Sequence, residues 1–383
     1  MRVLCCSGSL EGAGSERQLW QLAVGLPAEL IEAQIYLIYR RGKYLSQIPA
    51  RIPVHDFSSQ PLVRMARCPG AIHRQQVRHM IATLREQKID VVYDRTFHMT
   101  LVTAAACRAT GIPRVSVIVN PPSRDFVLSN ERFSWIKKRL LARAYRDPHN
   151  LCLAVSNSVA EDAASFYHIP KARIQVATSP IDFAAVERAA QADHAETHGA
   201  SFRWLVVGRL ARQKGQRLAI EAMAKLKAMR PDQSIELTLI GDGPERESLV
   251  ERVNQLSLQS MVRFEGQLDN PYPWIRATDL LCIPSLYEGL PNVALEGMCL
   301  NTPIVATECS GSLRELLGNE RGVLIPVGDA DALARSVLDR IEHPQRWQAR
   351  ASVARQWVAE RHGLQPWLSH MQQLFEKLRS RSK

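Results

Sequence analysis

The chain has 383 residues, 46% hydrophobic and 23% charged, a balance that excludes disordered and fibrous classes and a length that exceeds what one hydrophobic core organises. No stretch approaches the roughly 20 apolar residues that span a bilayer, and the apolar run after Met1 is too short for a signal-peptide core. The net charge of +11 lies wholly in residues 1–180, with 24 Lys and Arg against 13 Asp and Glu, a field that suits an anionic membrane, a phosphorylated acceptor or nucleic acid, or simply a solvated face.

Short apolar runs alternate with helical patterns, the signature of α/β architecture with parallel sheets. The first half offers strands at Val3–Cys6, Ala33–Tyr39, Val91–Tyr93, Val115–Val119 and Leu151–Val155. The second half offers Trp204–Val207, Leu237–Ile240, Val262–Phe264, Leu280–Ile283, Pro303–Ala306 and Gly322–Ile325. Residues 186–202 are polar and Ala-rich, which puts a domain junction near Pro180 and makes that stretch a surface segment. Trp367, Leu368, Met371, Leu374, Phe375 and Leu378 recur at helical spacing, so Gln365–Arg379 reads as a terminal amphipathic helix. Three segments are therefore expected: 1–180, 181–364 and 365–383. Eight cysteines, at 5, 6, 68, 107, 152, 282, 299 and 309, show no C-x-x-C, which favours buried, reduced thiols in a cytoplasmic protein over disulfides or zinc.

Two doubly wound halves place ligands at the carboxyl ends of their strands, so the loops after strands are where chemistry belongs. Ser285-Leu-Tyr-Glu-Gly-Leu-Pro-Asn-Val-Ala-Leu-Glu296 follows one such strand and runs through a Gly-x-Pro turn into a helix beginning near Asn292. The turn's N–H groups and the helix N-terminus suit an anion or sugar hydroxyls, which Glu288 can bind and Glu296 can complement at a ribose diol. The bland alternative makes Glu288 a cap and Glu296 a solvated helix residue. Val207-Gly-Arg-Leu-Ala-Arg-Gln-Lys-Gly215 follows another strand and projects Arg209 and Lys214 from one short loop. A guanidinium fork with an ammonium point charge grips a diphosphate, although a basic loop can also be plain surface.

Together with Ile240-Gly-Asp-Gly243 and Phe264-Glu-Gly266, these segments resemble the retaining glycosyltransferases of family 4, the glycosyl transferases group 1, over residues 204 to about 327. The resemblance implies a GT-B fold: two Rossmann-like doubly wound domains facing across a cleft, an acceptor domain first and a donor domain second, with the terminal helix crossing back to the first. It implies that Glu288 contacts the transferred sugar, Glu296 the ribose, and Arg209 and Lys214 the donor diphosphate. Further donor contacts fall to Gly208, Gly289, Leu290, Pro291 and Asn292, with the base against the backbone of Arg263 and Phe264.

The first half matches the family more loosely. Ala13-Gly14-Ser15-Glu16-Arg17 is similar to the family's Gly-Gly-Ala-Glu-Arg loop, with Gly14 keeping the second glycine and Ala13 replacing the first. Where members end a strand with His-x-His, this chain has Tyr93 and Arg95; His98 can substitute, or Arg95 can face the phosphates. Asn120, before Pro121-Pro122, is a further cleft candidate. Ser156 or Asn157 is expected to cap a helix, and Thr178-Ser-Pro-Ile-Asp182 resembles the family's hinge signal.

The expected activity is transfer of a sugar from a nucleotide-diphosphate donor, a UDP-sugar preferred over GDP-mannose, to a glycan or lipid-linked acceptor, with retention of anomeric configuration. Neither cofactor nor metal is expected, because Arg209 and Lys214 supply the positive charge at the diphosphate and the chain is read as carrying no clustered Asp-x-Asp pair. A peripheral contact with the anionic inner membrane face is a further expectation, motivated by Arg132, Lys137, Lys138, Arg139, Arg143 and Arg146 interleaved with Phe133, Trp135, Ile136, Leu140 and Leu141. The alternative there is that Trp135, Ile136 and the leucines are core. Rival functions are a GT-B nucleotide-sugar epimerase, a catalytically silent nucleotide-sugar binding protein, and a nucleic-acid binder, the last weakened by the absence of a basic–aromatic recognition module.

Overall fold

The computed structural model describes residues 1–11, 14–60, 70–128, 134–192 and 202–381. Ala13, Cys68, Arg132, Phe133 and residues 193–201 of the readings above lie outside the described residues. The chain forms two compact units, Met1–Ser179 with Gln365–Lys383, and Pro180–Leu364.

The first unit holds seven parallel strands: β1 (Arg2–Ser7), β2 (Glu32–Leu37), β3 (Val54–Asp56), β4 (Val91–Arg95), β5 (Arg114–Ile118), β6 (Asn150–Ala154) and β7 (Ile174–Val176). The second holds six: β8 (Phe202–Val207), β9 (Ile235–Ile240), β10 (Val262–Gly266), β11 (Leu280–Ile283), β12 (Ile304–Thr307) and β13 (Val323–Ile325). Their orders are β3-β2-β1-β4-β5-β6-β7 and β10-β9-β8-β11-β12-β13. In each sheet the order therefore turns back beside the first strand of the unit, between β1 and β4 and between β8 and β11. Such a switch point opens a crevice, because the helices leaving the two strands depart to opposite faces.

Helices on both faces explain why the strands read as unbroken apolar runs. The two-residue period of a strand sends Trp204, Val206, Leu280, Cys282 and Val305 into one buried cluster. Leu205, Leu281, Ile283, Ile304 and Ala306 enter the cluster on the other face. Neither β3 nor β7 is among the strands read from sequence. Each has three residues and closes an edge of its sheet, and its sequence, Val-His-Asp or Ile-Gln-Val, makes no apolar run, unlike the equally short edge strand β13, Val-Leu-Ile.

The terminal helix, Leu364–Arg381, packs its apolar stripe onto the first unit. Met371 and Phe375 are fully buried, the Phe375 ring meets Tyr93 edge-on at 6.2 Å, and Arg379 lies 3.4 Å from Asp90. A Cβ on Gly25 would stand 2.6 Å from a methyl of Leu368, which would have to shift. The seven cysteines within the described residues are free thiols, six of them buried.

Candidate active site

In the second unit the loops leaving β8 and β11 meet at the switch point. After β8 the chain turns at Gly208, runs through Arg209 and closes a short turn at Arg212–Lys214 before the helix Gln216–Met229. Gly215 makes that turn possible: its φ is +64°, and a Cβ there would stand 2.0 Å from the Pro284 carbonyl oxygen. The helix therefore starts directly against the chain leaving β11. Leu286 donates its N–H to the Gln213 carbonyl at 2.8 Å, and the Gln213 amide donates to the Tyr287 carbonyl at 3.2 Å. Gln216 reaches back to the Arg209 carbonyl at 2.9 Å.

This stitching brings Lys214 to Glu288. The Lys214 Nζ lies 2.7 Å from Glu288 Oε1, and Ser285 Oγ donates to the same oxygen at 2.6 Å. Glu288 is buried, whereas the Lys214 side chain keeps 27% of its surface in solvent. The ammonium thus stands at the mouth of a site whose floor is the carboxylate. Arg209 is exposed and has no acidic partner among the described residues, so it is available for an anionic ligand. Ser285 and Gln213 were not singled out from sequence. Their place at the end of β11 and inside the basic loop is the signal that could have found them.

Glu288 leads through Gly289, Leu290 and Pro291 into the helix Asn292–Cys299, on which Glu296 is 6% exposed. A solvated Glu296 is thereby overturned: its helix packs Ala294, Leu295 and Met298 into the core, and the carboxylate goes in with them. On the other side of the switch point, Gly241 and Gly243 carry the backbone after β9 past the β8 loop. A Cβ on either would meet a carbonyl oxygen, of Gly208 at 2.1 Å or of Leu210 at 2.4 Å. Arg263 and Phe264 lie on the edge strand β10; Arg263 pairs with Glu265 at 2.8 Å, and Phe264 packs on the core. Their side chains are so engaged, while the outer backbone edge of β10 takes no part in the sheet. Cys309, after β12, is near enough for Glu288 and Lys214 to act on its thiol, which burial above all pushes up to about 11.

Among the described residues no three His, Cys, Asp or Glu side chains cluster to hold a metal ion. The reading that the chain carries no Asp-x-Asp pair is corrected by Asp329-Ala-Asp331, which lies at another helix start, that of Ala330–Glu342. Asp329 accepts from the Ala332 N–H at 2.8 Å as a cap, and Asp331 pairs with Lys225 at 2.7 Å.

The first unit builds a second loop cluster at its own switch point, from the ends of β1 and β4. Gly14 opens the helix Gly14–Gly25, and Ser9 Oγ donates to Glu16 at 2.8 Å across the turn after β1. Arg95, the last residue of β4, is 4% exposed and donates to Ser15 Oγ at 3.1 Å and to Tyr93 Oη at 2.9 Å. Both partners are neutral, and no carboxylate pairs with this buried guanidinium among the described residues. A buried charge held only by neutral groups is costly unless something supplies the counter-charge. The next residue, Thr96, has φ +77°, an outlier for a β-branched side chain.

Asp94 anchors the strand end from beneath. Fully buried, it accepts from Thr100 at 2.6 Å, Thr103 at 2.7 Å and Ser116 at 2.8 Å, with Arg114 3.7 Å away. Burial pushes its carboxyl up despite these partners. His98 is exposed at the start of the helix Phe97–Thr110, so the structure gives the two substitutes for the missing histidine opposite environments, Arg95 inside and His98 outside. Asn120 is half-buried after β5 and lies 3.5 Å from Asp125. Ser156 caps the helix Asn157–Tyr167 by accepting from the Val159 N–H, and Asp182 caps Phe183–Ala189.

Residues 12–185 match the family model Glycosyltransferase Family 4, and residues 201–343 match Glycosyl transferases group 1. The chain is 24% identical over 345 residues to an N-acetylgalactosamine-N,N'-diacetylbacillosaminyl-diphospho-undecaprenol 4-alpha-N-acetylgalactosaminyltransferase of Campylobacter jejuni, covering 87% of this chain and 88% of that protein. It is 34% identical over 131 residues to the lipopolysaccharide core biosynthesis glycosyltransferase LpsE of Rhizobium meliloti, an alignment that spans 34% of this chain and only 37% of that protein. Among solved structures, Anabaena HepE in complex with UDP-glucose superposes with a TM-score of 0.81 at 21% identity, over 98% of this chain and 100% of that one.

Proposed function

Because the chain belongs to the GT-B glycosyltransferases, with a family 4 first half and a group 1 second half, we propose that it transfers a sugar from a nucleotide-diphosphate donor to a glycan or lipid-linked acceptor with retention of configuration. The observation that carries this reading is the Lys214–Glu288 pair, 2.7 Å apart at the switch point of the second unit. A donor diphosphate beside Lys214 and Arg209 meets two fixed positive groups where charge develops as the sugar departs. Glu288 and the turn Gly289–Asn292 then receive the sugar, Glu296 the ribose, and the open edge of β10 at Arg263 and Phe264 the base.

In the transfer step the bond from the anomeric carbon to the diphosphate oxygen breaks and the bond to the acceptor oxygen forms on the same face. The acceptor's proton passes to the departing diphosphate, so no protein nucleophile is required. In the first unit, Gly14 and Arg95 are assigned to a phosphate of donor or acceptor, and His98 and Asn120 to the acceptor side. Arg95 is preferred over His98 for the phosphate because its buried charge lacks a counter-ion. A lipid-linked acceptor would bring the first unit to an anionic membrane surface.

A UDP-sugar is the preferred donor, in keeping with the UDP-glucose held by the similarly folded HepE. The test is a donor and acceptor array read by release of UDP or GDP, with the product linkage assigned by NMR. Turnover separates a transferase from a silent binding protein. Competitive inhibition by GDP but not UDP would reverse the donor assignment, and an inverted linkage would overturn the mechanism. EDTA is expected to leave the rate unchanged; loss restored by Mn²⁺ would refute the assignment of Arg209 and Lys214.

A further inference from the structure

The helix Ser134–Tyr145 has two faces of opposite character. One packs inward: Leu141, Ala142, Ala144 and Tyr145 are buried, and the Lys138 ammonium sits 3.9 Å from the centre of the Phe166 ring. The other is a surface hollow formed by Trp135, Ile136, Arg139, Leu140, Arg143 and Arg146. Trp135, Arg139 and Arg143 follow i, i+4, i+8 spacing with Ile136 and Leu140 beside them, so a single stripe of the helix carries these five, and Arg146 follows just past the helix end.

The expectation that the apolar residues here are core holds for Leu141 alone. Trp135 is 64% exposed, Leu140 49% and Ile136 40%, while Leu141 is fully buried. Single exposed apolar side chains need no explanation, but three together on one stripe, framed by arginines, do. Arg139 and Arg143 are exposed and have no acidic partner among the described residues.

We propose that this stripe docks on an anionic lipid bilayer, with Trp135, Ile136 and Leu140 entering the boundary between headgroups and acyl chains and Arg139, Arg143 and Arg146 meeting lipid phosphates. An amphipathic helix lying in the interface plane buries one apolar face and keeps its basic residues at headgroup level. Charge selects this occupant. A second copy seated on the same face would oppose its arginines to these, since a two-fold interface pairs a patch with itself. The helix also borders the loop cluster at the end of β4: Lys137 stands over the ring of Phe97, which follows Thr96, with 5.7 Å from its ammonium to the ring centre. Docking here would set that rim of the unit at the lipid surface. The proposal deepens the reading of a lipid-linked acceptor, yet vesicle binding needs neither donor nor acceptor and can fail while transfer stands.

The test is co-sedimentation of the full chain with phosphatidylglycerol-containing vesicles and with pure phosphatidylcholine vesicles, at low and high salt. Binding to the anionic vesicles alone, weakened by salt, is expected. Each Arg near an anionic surface contributes roughly fivefold, so Arg139→Ala with Arg143→Ala should lower partitioning about 25-fold. Trp135→Ser with Leu140→Ser should lower it at least tenfold while thermal stability and UDP affinity stay at wild-type values, because both side chains are already exposed. Equal binding to neutral vesicles, unchanged binding in both double variants, or a dimer that forms through this face without vesicle binding would each overturn the proposal.

Discussion

Replacing Lys214 by Ala perturbs stability and turnover through the same contact, and a double-mutant cycle with Glu288 separates the two. In the single variant the buried Glu288 carboxylate keeps only the 2.6 Å bond from Ser285 among the described residues. Breaking a buried pair costs about 3–5 kcal/mol, and the partial exposure of Lys214 reduces that to about 2–3 kcal/mol. For a unit of this size that is a fall in Tm of about 4–12 °C. Turnover should fall at least about a hundredfold, or about 2.7 kcal/mol, because the proposed function makes the ammonium the fixed charge at the leaving diphosphate. Adding Glu288→Ala removes the stranded carboxylate, so much of the lost stability should return while turnover stays low. Scanning calorimetry reads the first quantity, nucleoside diphosphate release the second, and titration calorimetry with UDP reports the weakened diphosphate site. Wild-type turnover in Lys214→Ala, or turnover that recovers with Tm in the double variant, would refute the assignment.

Three further outcomes are expected. Arg95→Met should leave stability within about 1 kcal/mol of wild type, since it removes an uncompensated buried charge together with its two hydrogen bonds to neutral partners, but should cut kcat/KM at least about tenfold; a steep loss of Tm with unchanged kinetics would make the residue structural only. Gly215→Ala should destabilise the second unit by at least about 2 kcal/mol and abolish UDP binding, because the new Cβ drives the β8 loop away from Pro284; calorimetry at wild-type affinity would contradict the described contact. For Asp56, burial pushes the carboxyl up but bonds from Ser59 at 2.7 Å and Ser58 at 2.8 Å, with Arg40 at 3.5 Å, leave it lowered overall. A lowered folded pKa means stability present above the unfolded value of about 3.9 and lost as pH falls through the folded one, so Asp56→Asn should narrow its deficit to wild type in urea melts below about pH 4; a deficit that persists into acid would contradict the sign.

Much of the architecture is local information. Eleven strands are legible as apolar runs because both faces of each sheet are covered, and Leu280–Ile283 has the same limits in sequence and structure. The helix starting at Asn292 and the cap at Ser156 follow from turn and capping chemistry a few residues long. Edge strands β3 and β7 escape because a polar residue breaks each three-residue run, whereas the equally short edge strand β13 is apolar throughout. The exposed stripe at Trp135, Ile136 and Leu140 could not be told from core either, because hydrophobicity alone does not say which helix face meets a neighbour.

Sequence by itself determined the loops that bear the basic and acidic residues, together with the family they resemble. Tertiary structure alone decided strand order, and strand order decides contact. Pairing β8 with β11 across the sheet sets Lys214 2.7 Å from Glu288, 74 residues away, and pairing β1 with β4 sets Arg95 against Ser15, 80 residues away. Such pairings depend on which crossovers cover which sheet face, a property of the whole packed core. The same holds for the missing counter-charge at Arg95: a guanidinium in sequence is only a charge, and burial among neutral partners is the observation behind its proposed role at a phosphate.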